Sequence, residues 1–514
     1  MDIRVIIGNP PYSAGQGSAN DNAANIAYPS LDAAIRDSYA AHSSAINKNA
    51  LYDSYIRAIR WASDRIGDSG IMAYVTNAGW VDGNATDGLR KCLVDEFSDL
   101  YVFHLRGNQR TSGELSRREG GKIFGSGSRT PIAIYVFVKN PDATEHGRIH
   151  FHDIGDYLSQ KEKLTIIRDF ASIDGINAAK GWKRITPDEN NDWLDQVDRS
   201  FEKFPILGAK RGEEEGLFAN YSSGVKTQRD AWAYNSSPSK LNKNMRRMID
   251  FYDDEVDRYI EANEPENIDN FIDWDPKRIS WTRALKWGLE KRKKIQFDQT
   301  RAIQGLYRPF QKQWLYFDRR MNEMVYQMPR LFPNAEAENR TIAVRGIGGG
   351  GEFSPYMTDA IFCLQPNHGT QCFPLYLYAE AKLDDGLFAA VGDQATGLTR
   401  RDAITDNGLA HFQAAYPGET ITKEDLFYYI YGLLHSPDYR ERFANNLAKA
   451  LPRIPAVERF ADFMGFSEAG RWLGGLLVDF DNVERFPVTI RAGHLVRVSI
   501  DAPLSFFRVT KLAV

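Results

Sequence analysis

The stretch I-R-V-I-I-G-N-P-P-Y, residues 3–12, joins a short apolar run to two consecutive prolines. Residues 3–7 are too few for a helix, so this run predicts a buried strand. Each proline fixes its backbone φ angle and removes an N–H donor. The loop after the strand is therefore stiff, and it presents the Asn9 side-chain oxygen and the Pro10 carbonyl as two acceptors held together. Tyr12 adds a flat aromatic face beside them.

The residues that follow alternate between helical and strand patterns. Residues 51–66 place apolar side chains on one helical face, and a shorter helical pattern occupies 88–97. Strand patterns occupy 71–77, 100–106 and 131–139. This order of strands and helices predicts a parallel α/β sheet, of which this chain holds the part from the middle onward.

Two fixed acceptors beside an aromatic ring suit an exocyclic amine on a planar base. The lone pair of adenine N6 is delocalised into its ring. If the two acceptors took hydrogen bonds from both N–H groups, the lone pair would be localised on nitrogen for attack on a methyl sulfonium. Acceptors fixed in advance need no reorganisation during the reaction. The base would have to leave the duplex, where Tyr12 would stack on it. The alternative is that N-P-P-Y is only a rigid loop at the end of a strand.

The composition is typical of a globular protein. The 514 residues allow about three domains, and 43% are hydrophobic and 26% charged. No apolar run approaches the ~18–20 residues of a membrane span, and no signal peptide is present, so no membrane partner is expected. Three cysteines are too few for a disulfide framework, which favours a reducing, cytoplasmic setting. The spacing of Cys363, His368 and Cys372 matches no common zinc pattern, and no metal is expected.

One segment is strongly basic in an acidic chain. The net charge is −4, yet residues 277–330 hold 14 Lys plus Arg and 4 Asp plus Glu, a local excess of +10. The rest must then carry −14. Such clustering favours an anionic partner for this segment, although a charge run is commonly a solvated face.

The second half of the chain has a different character. After a polar connector, aromatic residues alternate with arginines and short apolar runs beyond residue 200, which predicts mixed α+β structure. Residues 424–450 read as helical, with a break at Ser436-Pro437.

G-N-P-P-Y resembles the catalytic motif of adenine-N6 DNA methyltransferases. The resemblance continues through residues 51–66, then G-I-M-A-Y-V-T-N, L-R-G-N, S-G-V-K-T-Q-R-D, Y-R-P-F, Q-C-F-P-L-Y-L-Y and L-H-S-P-D-Y-R-E-R-F-A-N-N-L-A-K-A-L-P-R-I-P. Together these motifs resemble the C-terminal half of single-chain (type ISP) restriction–modification enzymes over nearly the whole chain. N-P-P-Y alone is less specific, because protein-glutamine methyltransferases share it.

The resemblance implies an organisation. Residues 1–150 would be the second half of a Rossmann-like methyltransferase sheet, 151–200 a connector, and 201–514 an α+β target-recognition domain with a helical spacer around 424–450. The cofactor S-adenosylmethionine and double-stranded DNA are the implied ligands. In the family the cofactor's glycine motif, a helicase-like motor and a nuclease precede N-P-P-Y, so a fragment or truncated product is expected. G-S-G-S at 125–128 is not followed by a helix and is a weak cofactor candidate.

The resemblance also assigns candidate site residues. The catalytic set is Asn9, Pro10, Pro11 and Tyr12, with Tyr12 and Phe124 as base-stacking aromatics. Phe124 could equally be a loop aromatic covering the sheet edge. Asn77 ends the second strand, as a turn former or as a site-lining residue.

Two groups of residues are candidates for DNA contact. Lys226, Thr227, Gln228 and Arg229 resemble the start of the target-recognition domain and suit phosphates and base edges, or else form a solvated loop. In W-T-R-A-L-K-W-G-L-E-K-R-K-K, Trp281 and Trp287 would anchor a segment whose cations face phosphates. The cations in this segment are Arg283, Lys286, Lys291, Arg292, Lys293 and Lys294.

Three functions therefore remain open. The first is an adenine-N6 DNA methyltransferase with its target-recognition domain. The second is a DNA-binding specificity module that is catalytically incomplete. The third is a protein- or RNA-amine methyltransferase, which the large aromatic and basic C-terminal region disfavours.

Overall fold

The computed structural model describes residues 3–12, 27–45, 47–111, 113–124, 129–209, 215–265, 267–347, 353–365, 369–380 and 398–484. Before residue 210 the elements are β1 (Val5–Gly8), α1 (Pro29–Ile35), α2 (Ser54–Arg65), β2 (Gly70–Asn77), α3 (Asp87–Glu96), β3 (Asp99–His104), α4 (Gly113–Glu119), β4 (Ile132–Lys139), β5 (Arg148–Asp153), α5 (Gln160–Phe170), α6 (Ile173–Ala178) and β6 (Lys183–Ile185). A π-helical turn (Arg36–Ala40) extends α1, and short 3-10 helices lie at Asn49–Tyr52, Asn84–Thr86 and Arg199–Lys203.

The six strands form one sheet in the order β1-β2-β4-β3-β5-β6. β1 is parallel to β2 and β3 is parallel to β5, but β4 runs antiparallel to both β2 and β3. The prediction of a wholly parallel sheet is therefore wrong at β4. A parallel return needs a crossover helix packed on the sheet. The helix between β3 and β4 is α4, which buries no residue.

The predicted helical face does pack on this sheet. Tyr55, Ile56, Ile59 and Ile66 are buried, and they share a core with Met72 of β2. Spacing of three and four residues aligns side chains along one side of a helix, which is why the pattern found the core.

The first sheet continues into the predicted connector. The boundary expected at residue 150 cuts through β5, and β6 pairs with β5 through Ile149 and Ile185. Trp193 is buried against Trp80 in the core of the same unit, with ring centroids 5.4 Å apart. Residues 151–193 thus complete the first unit, although their polar composition favoured a linker.

The second unit includes Phe201 and Leu207, which are buried in its core, in agreement with the boundary expected at residue 201. Its elements are β7 (Ser222–Ser223), α7 (Asp230–Ala233), β8 (Tyr234–Asn235), α8 (Pro238–Glu261), α9 (Ile268–Phe271), α10 (Arg283–Glu290), β9 (Ala302–Arg308), β10 (Gln311–Tyr316), α11 (Met328–Leu331), β11 (Thr341–Val344), β12 (Tyr356–Thr358), β13 (Ile361–Phe362), β14 (Gln371–Pro374), β15 (Tyr376–Glu380), β16 (Leu398–Asp402), α12 (Asp406–Ala415), α13 (Lys423–His435), α14 (Pro437–Arg442), α15 (Ala444–Lys449) and α16 (Phe460–Val478), with a 3-10 helix at Gln299–Arg301.

Two small four-stranded sheets form the β part of this unit. Their orders are β13-β9-β10-β8 and β12-β11-β14-β7, and β15 pairs separately with β16. Ile342 and Phe373 from the second sheet pack with Phe427 of α13 in one large core. A separate core joins α8 and α10 through Met248, Tyr252 and Leu285. The mixed α+β prediction is confirmed for the described residues.

The predicted helix at 424–450 is broken where expected. Ser436 ends α13 and caps α14, accepting a hydrogen bond from the Tyr439 backbone N–H, and Pro437 occupies the first helical position. At the other end of α13, Thr422 and Asp425 form a reciprocal capping box. None of the helices in the described ranges combines the length and apolarity needed to cross a membrane.

Candidate functional site

The N-P-P-Y loop follows β1 directly. β1 pairs in parallel with β2 up to Gly8, which lies opposite Tyr74. A Cβ atom on Gly8 would lie 3.1 Å from the Tyr74 ring, so glycine permits the close approach that ends the strand here. β1, β2, β3 and β5 point the same way, and their carboxyl ends share one edge of the sheet. Ligands of α/β sheets commonly bind at this edge.

Within the loop, polar and aromatic groups have different surroundings. Asn9 is exposed, and its side chain has no hydrogen bond to another described residue. Tyr12 is half-buried and meets Tyr55 edge to face, with centroids 6.3 Å apart and planes at 82°. Burial raises the pKa of Tyr12, so its ring is neutral at pH 7. The loop therefore offers a solvent-facing amide beside an uncharged aromatic face.

Phe124 lies on the same small core as Tyr12. Both rings are half-buried and pack on the cluster that contains Phe103, Leu105 and Ile154 near the carboxyl edge. The structure therefore brings the two predicted stacking aromatics to one region. Their contact with a base stays a prediction.

The loop that carries Phe124 is anchored by α5. The side chain of Lys163 is buried, and its ammonium donates to the carbonyls of Glu119 (2.7 Å) and Gly121 (2.9 Å). Gln160 donates to the Ile123 carbonyl at 2.7 Å. Burial lowers the pKa of Lys163 to about 8. Sequence reasoning missed this lysine, because nothing in its neighbourhood distinguishes it from a solvated helix residue.

Two charged groups at the edge also went unpredicted. Arg106, within the quoted L-R-G-N motif, donates to Asp153 at 2.7 Å and also pairs with Asp156. Although burial opposes it, the nearby His104 and the Arg106 guanidinium hold the pKa of Asp153 well below its usual range.

Asn77 accepts a hydrogen bond from the Gly79 backbone N–H at 2.9 Å, which is the expected turn geometry.

The 226–229 segment divides into two pairs. Thr227 and Arg229 are buried: the Thr227 hydroxyl bonds Asp230, and Arg229 donates to the Met321 carbonyl and the Thr282 hydroxyl, both at 2.7 Å. Burial lowers the pKa of Arg229 to about 10. The DNA contacts predicted for these two residues are therefore corrected to structural roles in this conformation. Lys226 is half-buried and Gln228 is exposed, and their DNA contacts stay predictions.

The positive charge of the basic segment, residues 277–330, is partly neutralised by acidic side chains that fold against it. Three of its predicted DNA-binding cations pair with acids that lie before residue 277: Lys286 with Asp269 (2.7 Å), Lys294 with Asp257 (2.7 Å) and Arg292 with Glu264. The remaining three are exposed. The Lys293 ammonium lies 4.6 Å from the centroid of the Trp287 ring. Arg283 and Lys291 form neither an ion pair nor a cation–π contact with a described residue.

The predicted anchors differ as well. Trp281 is half-buried and donates to the Asp273 carbonyl at 2.8 Å, while Trp287 is 53% exposed. Of the two predicted anchors, Trp281 therefore helps to hold the segment, together with the buried Leu285 and Leu289 of α10, and Trp287 does not.

Cys363 and Cys372 are both buried, and His368 and the G-S-G-S stretch lie outside the described residues. Among the residues described, no cluster of three or more His, Cys, Asp and Glu side chains could hold a metal ion.

The Type ISP C-terminal specificity domain matches residues 216–509. The chain belongs to the Type ISP restriction–modification enzyme family. No curated protein sequence matches it.

Three solved structures, two of them of Type ISP enzymes, each match 95% of this chain. A nuclease-deletion mutant of the Type ISP restriction–modification enzyme LlaGI, in complex with a DNA substrate mimic, is 38% identical with a TM-score of 0.76. The ATP-dependent Type ISP enzyme LlaBIII bound to DNA is 34% identical with a TM-score of 0.77. A DrdV–DNA complex is 33% identical with a TM-score of 0.75. Our chain spans 42% of the LlaGI chain, 30% of the LlaBIII chain and 45% of the DrdV chain.

Proposed function

We propose that this chain supplies the base-holding and DNA-recognising parts of a site-specific adenine-N6 DNA methyltransferase within a restriction–modification enzyme. The observation that carries the proposal is the placement of N-P-P-Y. The motif lies at the carboxyl end of a parallel strand, with the Asn9 amide exposed and Tyr12 half-buried beside it.

Each loop residue has a role in this proposal. The Asn9 side-chain oxygen and the Pro10 carbonyl accept hydrogen bonds from the two N–H groups of the adenine amine. Pro11 keeps the backbone stiff and removes a competing donor. Tyr12 stacks on the flipped base, and Phe124 covers it from the neighbouring loop. Because these acceptors are held before the base arrives, they favour the nucleophilic form of the amine without reorganisation.

S-adenosylmethionine is the proposed methyl donor. The described residues do not fit its binding: no acidic-Gly-x-Gly turn follows a parallel strand of the sheet, and β1 leads directly into N-P-P-Y. We therefore assign no described residue to the cofactor and derive no step through it.

Double-stranded DNA is the proposed macromolecular partner. The relatives LlaGI, LlaBIII and DrdV are described in complex with DNA or a DNA mimic. The exposed cations Arg283, Lys291 and Lys293 would contact phosphates, and Lys226 and Gln228 would approach the duplex. A helicase-like motor and a nuclease would belong to further segments, since LlaGI is described as a nuclease-deletion mutant and LlaBIII as ATP-dependent.

A second function has its own support. The family match covers the specificity domain, and the described residues hold no cofactor motif. Both observations favour a DNA-binding specificity module that does not catalyse methyl transfer by itself.

The test is Asn9→Ala in a complete enzyme. Methyl transfer to adenine N6 should fall at least ~10²-fold, the typical cost of removing one preorganised polar partner, with DNA affinity little changed. Tritiated-methyl incorporation and nucleoside analysis measure it. The control is Asn140→Ala, an exposed asparagine that follows β4 at the opposite edge of the same sheet. Near-normal methylation by the Asn9 variant would remove Asn9 from the mechanism.

A further inference from the structure

A buried arginine links the carboxyl edge of the first sheet to the segment before the second unit. The Arg90 side chain, on α3, is completely buried. Its guanidinium donates to the Gly83 carbonyl at 2.8 Å and to the Asn191 carbonyl at 2.8 Å. It also forms an ion pair with Asp192 at 2.6 Å. Gly83 belongs to the loop that follows β2, so this loop and residues 191–192 are held by one side chain.

The Asp192 carboxylate also forms an ion pair with a lysine of the second unit. The second oxygen of Asp192 accepts from Lys449 of α15 at 2.7 Å. The Lys449 ammonium also donates to the Asp195 carbonyl at 2.6 Å. Since the side chains of Arg90 and Asp192 are 0% and 6% exposed, salt screens this bridge far less than a surface pair. Asp192 is thus bonded to charges from both units at once.

A second contact lies close by on the same helix. Asn446 of α15 accepts from the Asp198 backbone N–H at 2.9 Å and returns a hydrogen bond to the Asp198 carbonyl at 3.1 Å. Asn445 of α15 also donates to the Gln196 carbonyl at 3.0 Å. Residues 192–198 are therefore bonded to α15 through Lys449, Asn446 and Asn445, and to α3 through Arg90. Because residues 191–198 are bonded on both sides, a shift of α15 would also displace the loop after β2.

The loop after β2 lies at the edge that carries N-P-P-Y. Methyl transfer depends on reacting atoms held ~3–3.5 Å apart, and a 1 Å misplacement can cost about 10²-fold in rate. The second unit holds the DNA in the proposed function, so its orientation relative to this edge decides where the target base arrives. Buried ionic groups can specify one arrangement of packed elements, because alternatives leave a charge without a partner.

We propose that Lys449 and Asp192 are positioning residues that fix the specificity unit against the carboxyl edge of the first sheet, through Arg90. This inference rests on the proposed function for its consequence in catalysis. The physical link itself can be tested without any catalysis.

Hydrogen exchange on the 514-residue chain tests the link. Lys449→Met should speed amide exchange in residues 188–198 and in the loop 78–86 by about tenfold or more, and leave α8 unchanged. Lys449→Arg should restore the wild-type rates, because it keeps a cation against Asp192. The matched control is Lys423→Met, which removes a 2.6 Å ion pair with the exposed Asp406 in the same unit.

DNA binding adds a readout that local packing alone would not move. In the wild type, mixed-sequence duplex DNA should slow exchange in residues 78–86, and Lys449→Met should lose this effect while keeping its DNA affinity within about twofold. If Lys449→Met does not fold, Lys449→Gln replaces it.

Unchanged exchange in 188–198 and 78–86 without DNA would overturn the proposal. So would DNA-induced protection of 78–86 that survives in the variant, or that is missing from a wild type that binds DNA. Failure of the wild type to bind DNA would instead count against the proposed function, and the exchange measured without DNA would still decide the link.

Discussion

The exposed cations of the basic segment should set the salt dependence of DNA binding. The structure separates the predicted cations into two classes. Arg283, Lys291 and Lys293 are exposed without an acidic partner among the described residues, whereas Arg292 and Lys294 are paired with acids. The informative variant is therefore the triple replacement of the first three by glutamine, which removes charge and keeps a polar side chain.

The magnitude follows from counterion release. Each phosphate contact contributes about 0.9 to the slope of log affinity against log salt, so losing three contacts should flatten the slope by up to ~2.7. Between ~50 and ~200 mM salt, the wild type should then lose about 40-fold more affinity than the variant. Because phosphate contacts carry no sequence information, binding should weaken similarly on all DNA sequences.

Fluorescence anisotropy with duplex DNA at several salt concentrations measures both slopes. The matched control replaces Arg292 and Lys294 by glutamine, and it should change the slope less, since Glu264 and Asp257 already offset those charges. Equal slopes for the wild type and the triple variant would refute the reasoning and leave the segment as a solvated face.

Three further results are expected. The isolated chain should show only weak S-adenosylmethionine binding by calorimetry and little or no tritiated-methyl transfer; micromolar binding with turnover would reveal a cofactor site among these residues. Arg229→Met should lower the free energy of unfolding by about 1–3 kcal/mol in urea titrations, because buried acceptors lose their donor; DNA affinity should change little, and a selective loss of affinity would restore Arg229 as a DNA contact. For Lys163, the pKa is lowered from 10.5 to about 8, so the unfolded chain binds more protons between these values and stability should rise with pH across that window. Urea titrations should find this contribution missing in Lys163→Met and present in a control at the exposed Lys161; equal pH dependence in both variants would contradict it.

Local patterns in the sequence predicted the elements whose structure is decided locally. The apolar run before Asn9 forms a strand that ends before the proline pair, because both effects act within a few residues. Its predicted burial is wrong: β1 is the edge strand of the described sheet, and Val5 and Ile7 are 54% and 78% exposed. Helical spacing identified the buried face of α2, and Pro437 marked the break between α13 and α14. Strand direction is not a local property, which is why β4 was misassigned.

The charged residues show where sequence reasoning ends. Arg229 was predicted at a surface, but its partners Thr282 and Met321 lie 53 and 92 residues further along the chain. Charged side chains are seldom buried unless paired or bonded, and the bonding groups here meet only in the folded protein. The same holds for Lys163, and for the ion pair between Arg292 and Glu264.

Selection of bound duplexes from a random-sequence DNA pool, followed by sequencing, tests the central claim most directly. The chain is proposed to recognise one DNA sequence and to present an adenine within it to N-P-P-Y. One adenine-containing sequence should be enriched, with affinity at least ~10³-fold above that for unrelated DNA at physiological salt. Binding without enrichment of any sequence, or enrichment of a sequence with no adenine in either strand, would contradict this account.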